Sequence, residues 1–161
     1  MKIGDFDIEL RNYKMIAGHD DTLPYQAIMY INGKKAAVCM NDGWGGETVV
    51  TIVNEKLFKE AEQAVVQTIW FEDYKYTMVS LADVLAYGLE KERQLNKFIT
   101  SNQRKNLVLR KEGKTYTVSL SMTIAQILAN ESTKVQLMCS IEKRKADGYE
   151  ILNKNIPFLF G

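Results

Sequence analysis

The sequence predicts an α+β fold: an antiparallel β-meander with about three helices and a second, basic β-hairpin. Three observations predict it. Phe6, Ile8 and Leu10 alternate with polar side chains at a period of two, and two further strand-like runs flank Asn32-Gly33 within the first forty residues. Tight-turn dipeptides, not long crossovers, join the apparent strands, which argues against a doubly wound parallel sheet. Longer stretches with helical spacing follow the strands and do not alternate with them one by one.

Phe6, Ile8 and Leu10 alternate with Asp7, Glu9 and Arg11, the pattern of a half-buried strand. Tyr25 to Ile31 and Lys35 to Met40 flank Asn32-Gly33, a pair suited to a type I′ turn because both of its central residues need positive φ. The segment Asn41-Asp42-Gly43-Trp44-Gly45-Gly46-Glu47 interrupts the meander, and Thr48 to Val53 resumes it with β-branched residues. Asn54 is placed to cap a helix from about Glu55 to Gln67, with Phe58, Ala61 and Val65 on one face. Ser80 followed by Asp83 resembles a capping box. Leu81, Val84, Leu85, Leu89, Leu95 and Ile99 continue with helical spacing to about Asn102. Gly88 inside that helix costs up to about 1 kcal/mol relative to Ala and suggests close packing or a bend. Asn106 to Arg110 and Thr115 to Leu120 form the second hairpin around Lys111-Glu112-Gly113-Lys114. Ser121 to Asn130 reads as a short helix. Val135, Leu137, Cys139 and Ile141 keep a strand period, although Val135, Met138 and Ile141 equally suit a helix; strand is the expectation.

The 161 residues suit a single domain, with subdomains at 1–79 and 80–161 as the alternative division. Apolar residues make up 46% and charged residues 25%, which excludes disordered and collagen-like classes. The longest apolar run, Ala36 to Met40, is five residues, far below the roughly 18 needed to span a membrane. The start, Met1-Lys2-Ile3-Gly4-Asp5-Phe6, lacks the apolar core of a secretory signal, so a cytoplasmic location without membrane attachment is expected. His19 stands alone in Gly18-His19-Asp20-Asp21, which reads as a surface loop, and Cys39 and Cys139 lie one hundred positions apart. No zinc-ligand spacing or nucleophile elbow follows from these residues, and no metal, cofactor or catalytic residue is assigned. Asp20, Asp21 and Asp42 lack the spacing of a calcium loop. Both cysteines fall in apolar patterns and read as buried hydrophobes of a reducing compartment.

The loop Asn41, Asp42, Gly43, Trp44, Gly45, Gly46 is the candidate ligand or partner site. Three glycines in four positions permit positive φ, so successive backbone N–H groups can face one concavity and hold an anion while Trp44 stacks on a base. Lys34 or Lys35 would add charge. The alternative is a structural turn whose tryptophan covers an open edge of the core. No lysine follows the glycines and the loop feeds a strand, so it is not a P-loop.

The run Ile31-Asn32-Gly33-Lys34-Lys35 followed by Asn41-Asp42-Gly43-x-Gly45-Gly46 resembles small bacteriophage and prophage proteins of unknown function. That likeness covers residues 27 to 47. Asn106-Leu107-Val108-Leu109-Arg110 and Gly148-Tyr149-Glu150-Ile151-Leu152-Asn153 are loosely similar to the same family's second half. The resemblance implies an accessory protein made during infection and acting in the bacterial host cytoplasm; it carries no catalytic residue.

Residues 1–80 hold 8 Lys/Arg against 12 Asp/Glu, and residues 81–161 hold 13 against 8, net charges of −4 and +5. Glu55, Glu60, Glu62, Glu72 and Asp73 form an acidic, solvated stretch. Arg104, Lys105, Arg110, Lys111 and Lys114 cluster at the second hairpin as candidate phosphate contacts, with Lys143, Arg144 and Lys145 as another basic run. The bland reading is an edge hairpin whose lysines prevent pairing with another sheet. The apolar end, Asn155-Ile156-Pro157-Phe158-Leu159-Phe160-Gly161, is expected to dock on its own core, or else to form a homo-oligomer surface. The leading functional expectation is therefore a non-enzymatic binding protein that inhibits a host bacterial protein or defence system. The alternatives are a nucleic-acid-associated module using the basic hairpin and a binder of a small nucleotide at the glycine loop.

Overall fold

A computed structural model describes residues 1–17, 23–68, 70–71 and 74–160, with the side chains of Thr68, Trp70, Phe71, Tyr74 and Lys75 left out. His19, Asp20 and Asp21, and Glu72 and Asp73 of the acidic stretch, lie outside the described residues. The fold is mixed α+β, as the sequence predicts. The chain divides into two compact units, Met1–Lys91 and Glu92–Gly161.

In the first unit, β1 (Lys2–Ile3), β2 (Phe6–Met15), β3 (Tyr25–Ile31), β4 (Lys34–Asn41) and β5 (Val49–Ile52) form an antiparallel sheet whose spatial order follows the sequence. Asn32 and Gly33 both take positive φ, 49° and 74°, which the β3–β4 turn demands. Helix α1 (Glu55–Thr68) is capped by Asn54, whose Oδ1 accepts the Leu57 N–H at 3.2 Å, and buries the expected Phe58, Ala61 and Val65. A two-stranded ribbon of β6 (Trp70–Phe71) and β7 (Tyr74–Lys75) follows. Helix α2 (Met78–Asn102) begins two residues before the expected Ser80 because Thr77 is the cap: the Ser80 N–H donates to Thr77 Oγ1 at 3.2 Å and the Thr77 N–H to Ser80 Oγ at 3.0 Å. Its Met78, Leu81, Ala82 and Ala86 join Ile8, Tyr25, Met29, Ile31 and Cys39 in the first core. Gly88 is exposed, and a Cβ placed on it would meet nothing within 4 Å, so neither close packing nor a tight approach explains it.

The second unit opens inside α2. Strands β8 (Asn106–Lys111) and β9 (Lys114–Ser119) form the expected hairpin, turning at Glu112 and Gly113 with φ of 50° and 74°. Strand β10 (Glu150–Ile151) pairs with the other edge of β8. Helix α3 (Ile124–Leu128) is shorter than the stretch 121–130 because Thr123 and Gln126 close a capping box there. The expected strand at Val135 to Ile141 is overturned: these residues belong to α4 (Glu131–Ala146), started by Asn130, whose side chain accepts the Thr133 N–H. Leu137 and Ile141, one helical turn apart, are its buried positions, and they join Leu107, Leu109, Ile124, Ile127 and Ile156 in a second core. The same phase change exposes Cys139, correcting the expectation that both cysteines are buried; Cys39 is buried. The terminal segment docks as expected on its own unit, with Ile156 fully buried, Phe158 and Leu159 half-buried and Phe160 left 69% exposed.

Asn153, fully buried, continues the β10 edge with its side chain in place of a strand. Its Oδ1 accepts the Val108 N–H at 2.7 Å, and its Nδ2 donates to the Asn106 carbonyl at 2.9 Å and to Asn155 Oδ1 at 3.3 Å. One amide thereby satisfies two backbone groups of β8 that no further strand reaches. Among the described residues, no helix is long and apolar enough to cross a membrane.

Candidate functional site

The strand register of the first unit fixes the site's geometry. Tyr25 and Asn41 are direct partners across β3 and β4, so their side chains stand together on one face of the sheet. Cys39, two residues before Asn41, shares that face and is buried. After the loop, Thr48 returns beside Asn41, and α2 contributes Asp83, Val84 and Tyr87. With Leu23, Gly45, Gly46 and Glu47, most of these residues line a cavity of about 590 Å³, within the range of small-molecule and side-chain pockets.

The floor of the cavity is a hydrogen-bond relay centred on Asp83. Asn41 Nδ2 donates to Thr48 Oγ1 at 3.2 Å, Thr48 Oγ1 donates in turn to Asp83 Oδ1, and the Tyr25 hydroxyl donates to the same Oδ1 at 3.1 Å while lying 3.3 Å from Thr48 Oγ1. Asn41, Thr48 and Tyr25 are buried. Their polar atoms are thus matched to one another, as buried polar groups must be. Asp83 Oδ2 accepts no hydrogen bond from the described residues, and Asp83 is among the residues that line the cavity.

Burial is the main reason that the Tyr25 phenol is held well above its ordinary range; the Thr48 hydrogen bond opposes this, and the nearby Asp83 charge adds to it. The Cys39 thiol is pushed up to about 11, chiefly by burial and then by Asp83. Further along α2, the buried Glu90 accepts the Tyr13 hydroxyl at 3.2 Å, and the Tyr13 ring stacks with Tyr25 at 6.0 Å between centroids.

The glycine loop is built by its own side chains. The Gly43 N–H donates to Asn41 Oδ1 at 2.9 Å and the Trp44 N–H to Asp42 Oδ1 at 3.0 Å, two successive Asx turns that share Gly43 at φ of 80°, with Gly45 just after them at 84°. Two of the backbone donors that an anion would need are therefore already engaged. Trp44 is 72% exposed. Lys34 and Lys35 sit at the opposite end of β4 from the loop, about 20 Å of extended strand away, and add nothing to it. The lining carries Asp83 and Glu47 and, among the described residues, no cation. Asp83, expected only as half of a capping box with Ser80, instead accepts the Tyr25 and Thr48 hydroxyls; its place in the site was missed because it lies about forty positions from the loop and only the tertiary fold joins the two.

The candidate phosphate contacts fall in the second unit and do not share one surface. Arg110 faces Glu150, its cross-strand partner, with Nη2–Oε2 at 2.7 Å. Lys111 points to the other face of β8, donates to the Asp147 carbonyl at 2.8 Å and lies 5.0 Å over the Tyr149 ring. Lys114, paired in register with Lys111, and Arg104 and Lys105 are exposed, with no ion pair to the described residues. Lys143 and Arg144 of α4 join Tyr116 and Tyr149, which meet edge to face at 6.0 Å, in lining a cavity of about 420 Å³. Arg144 also donates to the Ser140 carbonyl at 3.1 Å. Both cations lie in the last turn of α4, where they also offset the negative end of its dipole.

Among the described residues, no group of three or more His, Cys, Asp or Glu side chains is placed to hold a metal ion. Compared with known proteins, the chain matches no family model, no curated protein and no solved structure.

Proposed function

We propose that the protein is a non-enzymatic binding protein that takes a host bacterial protein at the cavity and loop of its first unit, as a phage-type accessory factor acting in the bacterial cytoplasm. The observation that carries this reading is an open cavity of about 590 Å³ with a preformed polar floor, bordered by a self-braced loop that presents Trp44 at 72% exposure. Tryptophan is enriched among residues that dominate partner binding, and a rigid loop loses little entropy when it docks. The phage provenance rests on the Asn-Gly hairpin and Asn-Asp-Gly-x-Gly-Gly resemblance.

The Tyr25 phenol, held neutral by burial, donates to Asp83 and so helps to fix the polar side of the binding cavity. Affinity capture from bacterial lysate with the wild-type protein and Trp44→Ala tests the reading. A specific partner retained by the former and lost by the latter is expected; equal recovery by both, or none by either, opposes it.

A second reading, a nucleic-acid-associated surface, is favoured by one observation: Lys143 and Arg144 come together with Tyr116 and Tyr149 in the second unit. Cations beside an exposed Tyr116 ring and a half-buried Tyr149 ring suit phosphate contact and base stacking. Fluorescence polarisation with single-stranded oligonucleotides at two salt levels distinguishes it, because phosphate contacts weaken steeply with salt. The third expectation, a small nucleotide at the glycine loop, is disfavoured by the engaged Gly43 and Trp44 donors and the acidic lining.

A further inference from the structure

The relay on the cavity floor leaves one carboxylate oxygen uncommitted. Asp83 Oδ1 takes both the Tyr25 and Thr48 hydroxyls, which fixes the carboxylate's orientation, while Oδ2 receives no donor from the described residues. A carboxylate oriented this way is prepared for a charged donor. The neighbouring groups point the same way: Glu47 adds a second negative charge, Leu23 and Val84 supply apolar wall, and the Tyr87 side chain, 57% exposed, offers a ring. Lys91 Nζ lies 5.0 Å from that ring's centroid, so an entering cation competes with Lys91 for the ring and is drawn in by the two carboxylates.

We propose that the cavity beside Asp83 is the receiving site for the guanidinium of an arginine on the partner protein, which deepens the binding reading above and rests on it. Arginine fits better than lysine on three physical grounds. Its planar fork pairs with carboxylates, its face stacks on aromatic rings, and it sheds water more readily than an ammonium. The cavity is larger than one side chain needs, so adjoining partner residues enter with it, and Trp44 meets the surface around the anchor. An anionic ligand would instead meet two carboxylates and two backbone donors already occupied.

The test uses the full chain, a short arginine peptide (acetyl-Gly-Arg-Gly-amide), its citrulline counterpart of nearly equal shape but no charge, the lysine counterpart, and free agmatine. Binding is followed by amide chemical-shift titration. The arginine peptide is expected to shift the amides of Gly45, Gly46, Asp83 and Tyr87 saturably, with the citrulline peptide at least about tenfold weaker, the ratio set by one charge-assisted hydrogen bond. Asp83→Asn keeps the Oδ1 acceptor for Tyr25 and Thr48 and should remove that advantage. Tyr87→Ala, a change at an exposed position that leaves the relay intact, should weaken the arginine peptide several-fold even if Asp83→Asn unfolds the protein. Citrulline or lysine binding as tightly as arginine, saturation at other amides, no shift in the millimolar range, or agmatine binding where the peptide does not, each overturns the proposal. Failure here is separable from failure of the binding reading: if wild-type protein and Asp83→Asn capture the same partner equally while Trp44→Ala does not, the binding protein stands and the arginine anchor falls.

Discussion

Cys39 and Cys139 begin as equivalent residues in the sequence and end in opposite environments. Cys139 is exposed on α4, while Cys39 is buried with its thiol pushed up to about 11, so a thiol reagent at neutral pH should modify one cysteine quickly and the second only after unfolding. Replacing Cys139 by Ser should abolish the fast phase. The same burial gives a pH dependence whose sign is fixed. The folded state holds the Cys39 thiol and Tyr25 phenol neutral, whereas in the unfolded chain they ionise near their ordinary values of 9 and 10. Their contribution is fully present below about pH 9 and is lost as pH rises through about 11 for Cys39 and higher for Tyr25. Unfolding free energies from denaturant titration should thus fall from pH 9 upward, by at most about 1.4 kcal/mol per pH unit per group, and the fall should be shallower in Cys39→Ala. Asn153 carries a different kind of weight. Asn153→Leu would leave the Val108 N–H and the Asn106 carbonyl without their buried partner, and a loss of about 2–4 kcal/mol in the second unit is expected, measurable by chemical denaturation.

Elements with a local cause were legible in the sequence, and those with a distant one were not. The β3–β4 and β8–β9 hairpins could be read because positive φ at Asn32, Gly33, Glu112 and Gly113 is a demand of the turn itself. Helix α1 could be read from its Asn54 cap and its buried face. Helix α4 was misread because Val135, Leu137, Cys139 and Ile141 alternate by accident; only Leu137 and Ile141 are buried, and the decisive Asn130 cap lies outside the alternation. The glycine loop was recognised, yet Asn41 has a second role beyond its local hold on Gly43: its Nδ2 reaches Thr48 and, beyond it, Asp83, a contact made only by folding. Gly88 shows the reverse case, a strong local signal with no tertiary reason, since open space surrounds the position of its missing Cβ. Gly88→Ala should therefore raise stability by about 0.5–1 kcal/mol, read as a higher melting temperature. A lowered one would reveal a constraint on that helix turn.

At the scale of the whole molecule, the boundary between Lys91 and Glu92 sharpens the charge division already visible in the sequence. Residues 1–91 hold 9 Lys/Arg against 14 Asp/Glu, and residues 92–161 hold 12 against 6, so the units carry −5 and +6. Molecules with a near-neutral total and oppositely charged units attract one another when salt is low, and added salt screens the attraction over a Debye length of about 10 Å at 0.1 M. Light scattering should show self-attraction that weakens as salt is raised near pH 7; no salt dependence would mean that the opposite charges do not meet between molecules. The order of pairing in the two sheets matters in another way. The first sheet joins only sequence neighbours, whereas β8 acquires its second edge from residues 150–153, about forty positions later. On a ribosome releasing about 5–20 residues per second, the first unit has every strand of its main sheet in hand while its neighbour's central strand still waits with a bare edge. The interval before Asn153 emerges, a matter of seconds, is when the nascent chain is most open to mispairing with another strand, and it is the stage at which a chaperone would find it.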